Sequence, residues 1–264
     1  MTAIPQIPPS FEHGLDGATP FRRPCPGLKE NDPMPCLLHI DASARFAPSF
    51  SRRGSAAFAD AWRATYPSGE VITRDLAVTP VPFITEAWTE VDDFTVINGL
   101  SDLDEISNAV ADPQQQASWA ITRQLLQELY AADAIVIGTP MYNWSVPAPL
   151  KAWIDHITFP WVDLAGPPVF IFTARGGGYP ADTPAGARDH QEPYLRYWFK
   201  TIGVTDITFV HSEYTLAGVM APLDAYIAQR DEMHATALSR AAELANAQNV
   251  ADACLSGATP GYLG

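Results

Sequence analysis

Ala134-Ile135-Val136-Ile137-Gly138-Thr139-Pro140-Met141-Tyr142-Asn143-Trp144-Ser145-Val146-Pro147 runs from branched apolar residues into a polar, aromatic, proline-punctuated loop. Residues 134–138 show no polar alternation, as a strand buried on both faces of a parallel sheet requires. In the loop, Tyr142 and Trp144 flank the amide of Asn143. Such a loop can offer backbone groups to the edge of a planar heterocycle while a ring packs on its face. The alternative is that both aromatics simply cover the top of the core.

Outward from this stretch the pattern repeats. Four more short apolar runs read as strands: Leu37-Leu38-His39-Ile40, Val71 to Leu76, Val169 to Thr173 and Ile207 to Val210. Between them lie helical stripes. Phe58, Ala61, Trp62 and Thr65 share one face of a helix that opens at Ser49 and stops at Pro67-Ser68-Gly69. Asp112-Pro113 starts a helix over 113–130, with Asp as N-cap and Pro at the first helical position. Leu150, Trp153, Ile154 and Ile157 mark a helix over 147–157, and Leu195, Trp198, Phe199 and Ile202 mark one ending at Gly203. Residues 222–246 form a long closing helix, while 78–112 show no clear period. Strands alternating with helical crossovers predict an α/β domain, a doubly wound five-stranded parallel sheet with helices on both faces. There is no internal repeat and no sign of a second domain.

In such a sheet ligands bind outside the carboxyl ends of the strands. The first of these loops carries Ser43, Ser49 and Ser51 before or inside a helix start, where free N–H groups and the helix dipole attract anions. It matches neither G-x-x-x-x-G-K-[ST] nor G-x-G-x-x-G, so neither a Mg-nucleotide nor the common dinucleotide fingerprint is indicated. Ser49 or Ser51 could equally serve only as a helix cap. After the fourth strand, Ala174-Arg175-Gly176-Gly177-Gly178 lets the backbone approach a ligand or take positive φ, with Arg175 as a donor. A merely flexible loop is the alternative there.

Composition narrows the classes. The 264 residues hold 16 Lys+Arg against 30 Asp+Glu, a net charge of −14, with 47% apolar and 17% charged residues. Basic runs stop at Arg22-Arg23 and Arg52-Arg53, too few for a nucleic-acid backbone or an anionic membrane surface. No apolar run reaches the length of a membrane span, and the start lacks the pattern of a secretory signal. Three cysteines without C-x-x-C spacing fit a reducing cytoplasm. The six histidines are scattered, with neither H-E-x-x-H nor G-x-S-x-G present, so no metal site and no serine nucleophile is expected.

Eight of the 24 prolines fall in the first 35 residues. Residues 1–33 are accordingly expected to be a disordered tail. Met34 is the expected start of the folded unit, 34–247, and 248–264 the expected irregular end.

These residues together resemble the FMN-dependent NADH-azoreductases, flavodoxin-like quinone and azo-compound reductases, over roughly 35–246. The resemblance rests on Ser43 with Ser49-Phe50-Ser51, on Thr139 to Trp144, on Leu150 to Asp155 and on Ala174 to Gly177. It implies that Ser43, Ser49, Phe50 (through its backbone) and Ser51 bind the FMN phosphate. Met141, Tyr142, Asn143 and Trp144 would line the isoalloxazine, and Ala174, Arg175, Gly176 and Gly177 its other edge. It further implies NADH or NADPH as donor, a small quinone or azo acceptor, a ping-pong order and a homodimer. The flavin carries the chemistry, so no catalytic side chain is expected.

Two departures from that family stand out. Phe159 to Pro168 replaces a longer insertion that covers the flavin in relatives, and Trp161 is expected to supply part of that cover. Position 174 is Ala where relatives often carry Ser. Two other functions fit the same sequence: a flavodoxin-like electron carrier without NAD(P)H turnover, and a binding module whose flavin site has decayed.

Overall fold

The computed structural model describes residues 35–164 and 166–246; the expected tails and the start at Met34 lie outside the described residues. Five strands, β1 (Cys36–Asp41), β2 (Glu70–Asp75), β3 (Ala134–Pro140), β4 (Val169–Ala174) and β5 (Ile207–Ser212), pair in the order β2-β1-β3-β4-β5, all parallel. This is the doubly wound sheet expected from the sequence. The chain leaves β1 in one direction to form β2 and returns past it to form β3. The switch point therefore lies at the carboxyl ends of β1 and β3.

Side-chain alternation sorts the two faces. Leu37, Ala134, Val136, Phe170 and Phe172 pack on one face against α1 (Phe50–Thr65) and α7 (Ile227–Asn246), where Phe58 and Trp62 meet Ala241 and Leu244. Leu38, Ile40, Ile135, Ile137, Val169 and Ile171 face the opposite layer. That layer holds α2 (Glu86–Asn98), α3 (Leu103–Ala109), α4 (Pro113–Ala131), α5 (Ala148–Ile157) and α6 (Glu192–Thr201). The start of α4 follows the sequence rule: Asp112 accepts from the amides of Gln114 and Gln115 with Pro113 at the first helical position.

The segment 78–112, unpatterned in sequence, contains α2 and α3. In α2 the buried Trp88, Val91 and Thr95 are accompanied by the exposed Val96 and Ile97, so the apolar residues run most of the way round the helix. Residues 222–226, expected as the first turn of the closing helix, form a 3-10 helix instead, and α7 begins at Ile227. Trp161 differs too. Its ring tilts over Phe159 at 5.0 Å and its Nε1 donates to Thr95 Oγ1 at 3.4 Å. Because α5 runs from the carboxyl edge of the sheet to the amino edge, residues 158–164 and 166–168 lie at the end opposite the ligand loops. Trp161 therefore covers core rather than ligand edge.

One buried polar chain ties this layer together. Trp88 Nε1 donates to Thr122 Oγ1 at 3.1 Å, Thr122 Oγ1 meets His156 Nδ1 at 2.9 Å, and His156 Nε2 meets the Pro82 carbonyl at 3.0 Å. The carbonyl can only accept, so the neutral ring carries its proton on Nε2 and accepts at Nδ1. Burial holds His156 below its ordinary value of 6.5, with the Pro82 bond opposing. The unfolded chain thus takes up a proton at this ring more readily than the folded one. The stabilising contribution is full above 6.5 and is lost as pH falls below it. Acid titration of unfolding free energy is expected to decline more gently in His156→Gln than in the natural protein; identical slopes would contradict this.

Candidate cofactor-binding site

Register places the three loops side by side. Asp41 pairs with Gly138, and Pro140 with Ala174, so the chain leaves adjacent strands at the same edge. Backbone bonds carry the pairing into the loops: Ala42 N donates to Gly138 O and Met141 N to Ala174 O. All twelve residues singled out from sequence, Ser43, Ser49 to Ser51, Met141 to Trp144 and Ala174 to Gly177, lie along this edge.

The loop after β1 ends at α1. Ser49 is its N-cap, with Oγ accepting from Arg52 N at 3.3 Å, and Ser51 Oγ lies 3.3 Å from Ser49 Oγ. Ser43 Oγ accepts from Arg45 N at 3.2 Å. The three serines are only 2%, 3% and 1% exposed for Ser43, Ser49 and Ser51. Accepting at oxygen leaves the hydroxyl protons of Ser43 and Ser49 available to donate. Capping and ligand binding are therefore compatible at Ser49. The amides of Phe50 and Ser51 have no acceptor among the described residues, as expected for the first turn of a helix. That turn carries no acidic side chain. The Phe50 ring is turned towards α7, edge-on to His234 at 4.8 Å and under Arg53 at 4.7 Å, so only its backbone serves the loop.

Neither Arg52 nor Arg53 points its charge freely at this loop. Arg52 forms ion pairs with Asp75 and Asp41, and Arg53 lies over Phe50. Arg45 is exposed within the loop itself. The donors gathered here are hydroxyls and amides at a helix N-terminus, a set suited to a phosphate.

The loop after β3 turns on two residues in left-handed backbone, Asn143 (φ 48°) and Trp144 (φ 65°). Tyr142 N donates to Ser145 O and Ser145 N to Tyr142 O, each at 3.1 Å, which closes a two-residue turn of type I′. Asn tolerates this conformation, whereas Trp does so at a cost of about 1 kcal/mol. The strained Trp144 is 48% exposed, and Tyr142 beside it is 39% exposed. His190 N donates to Trp144 O at 2.9 Å, and Gln191 Nε2 to Pro140 O at 2.9 Å, so the start of α6 anchors the turn. A cleft of about 520 Å³ lies beside it, lined by Tyr142, Asn143, Ser145, Val146, Ala148, Lys151 and Tyr194. The strained backbone thus falls at an exposed aromatic beside this cleft. Trp144→Gly removes the strain, so the thermal midpoint is expected to hold while binding of a planar ligand at this loop weakens. A large fall in the midpoint would show that Trp144 is there for stability.

The glycine loop behaves otherwise than the sequence suggested. None of Gly176, Gly177 and Gly178 has positive φ. A Cβ at Gly176 would come within 2.8 Å of Leu216 Cδ1, one at Gly178 would strike the Tyr214 hydroxyl, and one at Gly177 would meet nothing within 4 Å. Gly176 and Gly178 therefore admit the 214–216 segment, and only Gly177 faces open space. Arg175 is not the free donor expected. Its side chain is 2% exposed, with Nη1 3.0 Å from Asp189 and 3.6 Å from Glu213, and Nη2 3.8 Å from Glu192. Its backbone N donates to Ser212 O and its O accepts from Thr215 N. Arg175 thus braces the loop from below. In the same cluster the His211 and Arg196 hydrogen bonds hold the Glu192 carboxyl down to about 2, against burial.

The flavodoxin-like fold family matches residues 36–237. An FMN-dependent NADH:quinone oxidoreductase from Nocardia farcinica (strain IFM 10152) is 50% identical over 212 residues, covering 80% of this chain and 98% of that protein. FMN-dependent NADH:quinone oxidoreductase 2 from Pseudomonas fluorescens (strain Pf0-1) is 38% identical over 191 residues, 68% of this chain and 88% of that protein. Among solved structures, an FMN-dependent NADH-azoreductase from Bacillus anthracis in complex with FMN aligns at TM-score 0.64 and 21% identity, over 81% of this chain and 100% of that one. That structural likeness concerns the fold, whereas the sequence identities concern the family. A parallel sheet whose strand order reverses beside a serine-lined helix start and half-identity along nearly a whole relative lead to one conclusion: the chain belongs to the FMN-dependent NADH:quinone oxidoreductase family, on a flavodoxin-like fold.

Proposed function

We propose that this protein is an FMN-dependent oxidoreductase that passes two electrons from NADH to quinones, with azo compounds as further acceptors. The observation that carries this reading is the donor set at the start of α1, placed at the switch point between β1 and β3. FMN bound there would supply the redox chemistry, the exchange of two electrons between NADH and the acceptor.

The residues have distinct tasks. Hydroxyls of Ser43, Ser49 and Ser51 and the amides of Phe50 and Ser51 hold the phosphate. Met141, Tyr142, Asn143 and Trp144 line the isoalloxazine, the rigid turn fixing where its backbone groups point. Ala174, Gly176 and Gly177 border the other edge, and Arg175 keeps that segment in place. No side chain needs to act as nucleophile or general base. Donor and acceptor use the same opening in turn, a ping-pong order, with the cleft beside Tyr142 as the room they share. Residues 34–247 form the working unit.

Two broader assignments accompany this reading. The protein acts as a homodimer in the cytoplasm, with the exposed rings of Phe46, Tyr142 and Trp144 at a site mouth that a second copy closes. Light scattering in solution tests the dimer, and a monomer at working concentration would contradict it. Function is tested by steady-state rates at several NADH and quinone concentrations. Parallel double-reciprocal lines are expected; no turnover with FMN supplied, or lines that intersect, would overturn the enzyme or the order respectively.

A further inference from the structure

Arg52 is the basic residue nearest the phosphate-type loop that carries an ordered set of contacts, and all of them point inward. Nε and Nη2 both donate to the carbonyl of Ser43, at 3.1 and 2.7 Å. Nη1 and Nη2 donate to the two carboxylate oxygens of Asp75, at 2.7 and 2.8 Å. Nη1 also reaches Asp41 Oδ2 at 3.4 Å. A guanidinium has five N–H donors, and these five contacts employ all of them. The Phe46 ring lies 5.0 Å from its central carbon and closes over it. A phosphate could be contacted by this group only if one of the existing acceptors were given up.

The connections run between three elements. Arg52 stands in the first turn of α1, Asp75 is the last residue of β2, and Ser43 and Phe46 belong to the loop after β1. Asp75 in turn accepts from Ala77 N at 3.0 Å, which fixes the turn after β2. The guanidinium pulls the Asp75 carboxyl below the usual carboxylate range, as expected of a bidentate pair.

We propose that Arg52, oriented by Asp75, is a positioning residue that sets the Ser43 loop in its phosphate-binding conformation without touching the phosphate. This rests on the FMN reading above. It fixes Ser43 by the carbonyl and the loop by Phe46 before any ligand arrives. Lysine cannot replace it, because a point charge on a flexible stem cannot hold a carbonyl and both carboxylate oxygens together.

The test compares two flavins that differ only in the phosphate. Protein freed of flavin is titrated with FMN and with riboflavin, following quenching of flavin fluorescence, for the natural chain, Arg52→Lys, Asp75→Asn and the double variant. Thermal unfolding of each flavin-free protein is measured alongside. In each single variant the FMN Kd is expected to rise about tenfold, the worth of roughly one charge-assisted hydrogen bond, while the riboflavin Kd stays unchanged. The double variant should bind FMN no more weakly than the worse single one, because both residues act through one clasp. Equal losses for FMN and riboflavin would make the clasp merely structural and overturn the proposal. Unchanged FMN affinity in both single variants would overturn it as well. Tighter FMN binding in Asp75→Asn would overturn it by showing that Arg52 swings onto the phosphate. If the natural chain binds neither flavin, the functional reading falls and this inference with it; if it binds FMN normally while the variants do too, only the clasp falls.

Discussion

Replacing Ser49 and Ser51 together with alanine is expected to weaken FMN binding by about 10²–10⁴-fold, since each hydrogen bond to a charged group contributes roughly 1.5–3 kcal/mol. Both hydroxyls are buried at the first turn of α1, where no acidic side chain competes and the helix dipole favours an anion. The same change removes the N-cap, so flavin-free protein should also lose about 1 kcal/mol of stability. Cap and ligand roles can be separated at one position. Ser49→Asp keeps an acceptor for the amide of Arg52 and preserves the cap, but sets a carboxylate against the phosphate. Stability is expected to hold in that variant while FMN affinity collapses, read by thermal unfolding and fluorescence titration. Normal FMN binding by Ser49→Asp would mean that the serine is only a cap.

Gly138→Ala is expected to cost about 3 kcal/mol or more of stability, the upper range for overfilling a packed interior. Gly138 lies in β3 opposite Asp41, directly beneath the phosphate-type loop. A Cβ there would sit 2.5 Å from Ser55 Oγ, nearer still to Asp41 Oδ1, and 3.1 Å from the Ser51 carbonyl. None of these atoms can retreat cheaply. Ser55 Oγ donates to Asp41 Oδ1 at 2.8 Å, and the Ser51 carbonyl belongs to the backbone of α1. The methyl would push the start of α1 away from the sheet, so FMN affinity should fall along with the thermal midpoint. A variant with the natural midpoint would show that the α1–β3 contact is looser than described.

Much of this molecule is legible in its sequence. Strands such as Ala134 to Gly138 carry unbroken apolar runs because both faces are covered, and their loops are marked by the proline, glycine and serine that their backbones require. What escaped was set by tertiary context. Helix α2 presents apolar residues nearly all round, so its period is hidden. Arg175 reads as a ligand donor, and Arg52 only as half of a basic pair, because a sequence shows charge without showing what surrounds it. In the fold each meets carboxylates from distant elements, Asp189, Glu192 and Glu213 for one, Asp41 and Asp75 for the other. The turn at Asn143-Trp144 was recognised by its rings, yet its left-handed backbone at Trp144 could not be read from residue type, since tryptophan ordinarily avoids it. The glycine loop was read for conformational freedom, whereas Gly176 and Gly178 are needed for the close approach of Leu216 and Tyr214.

The electrostatics gain a physical meaning as well. With a net charge of −14, the chain offers few cations to an anionic cofactor, and two of the nearest are held internally by Asp75 and by the Phe50 ring. In the function proposed above, oriented amides and hydroxyls at one helix start would take the place of free charge, with the ion-paired arginines shaping the loops around them.

The most direct measurement is an anaerobic titration of the FMN-loaded protein with NADH, followed at the flavin absorption band. An equimolar amount of NADH is expected to discharge the band, and a quinone added afterwards to restore it. Protein that takes up no FMN, or whose bound FMN is unaltered by NADH, would contradict an NADH-driven flavin enzyme on this fold.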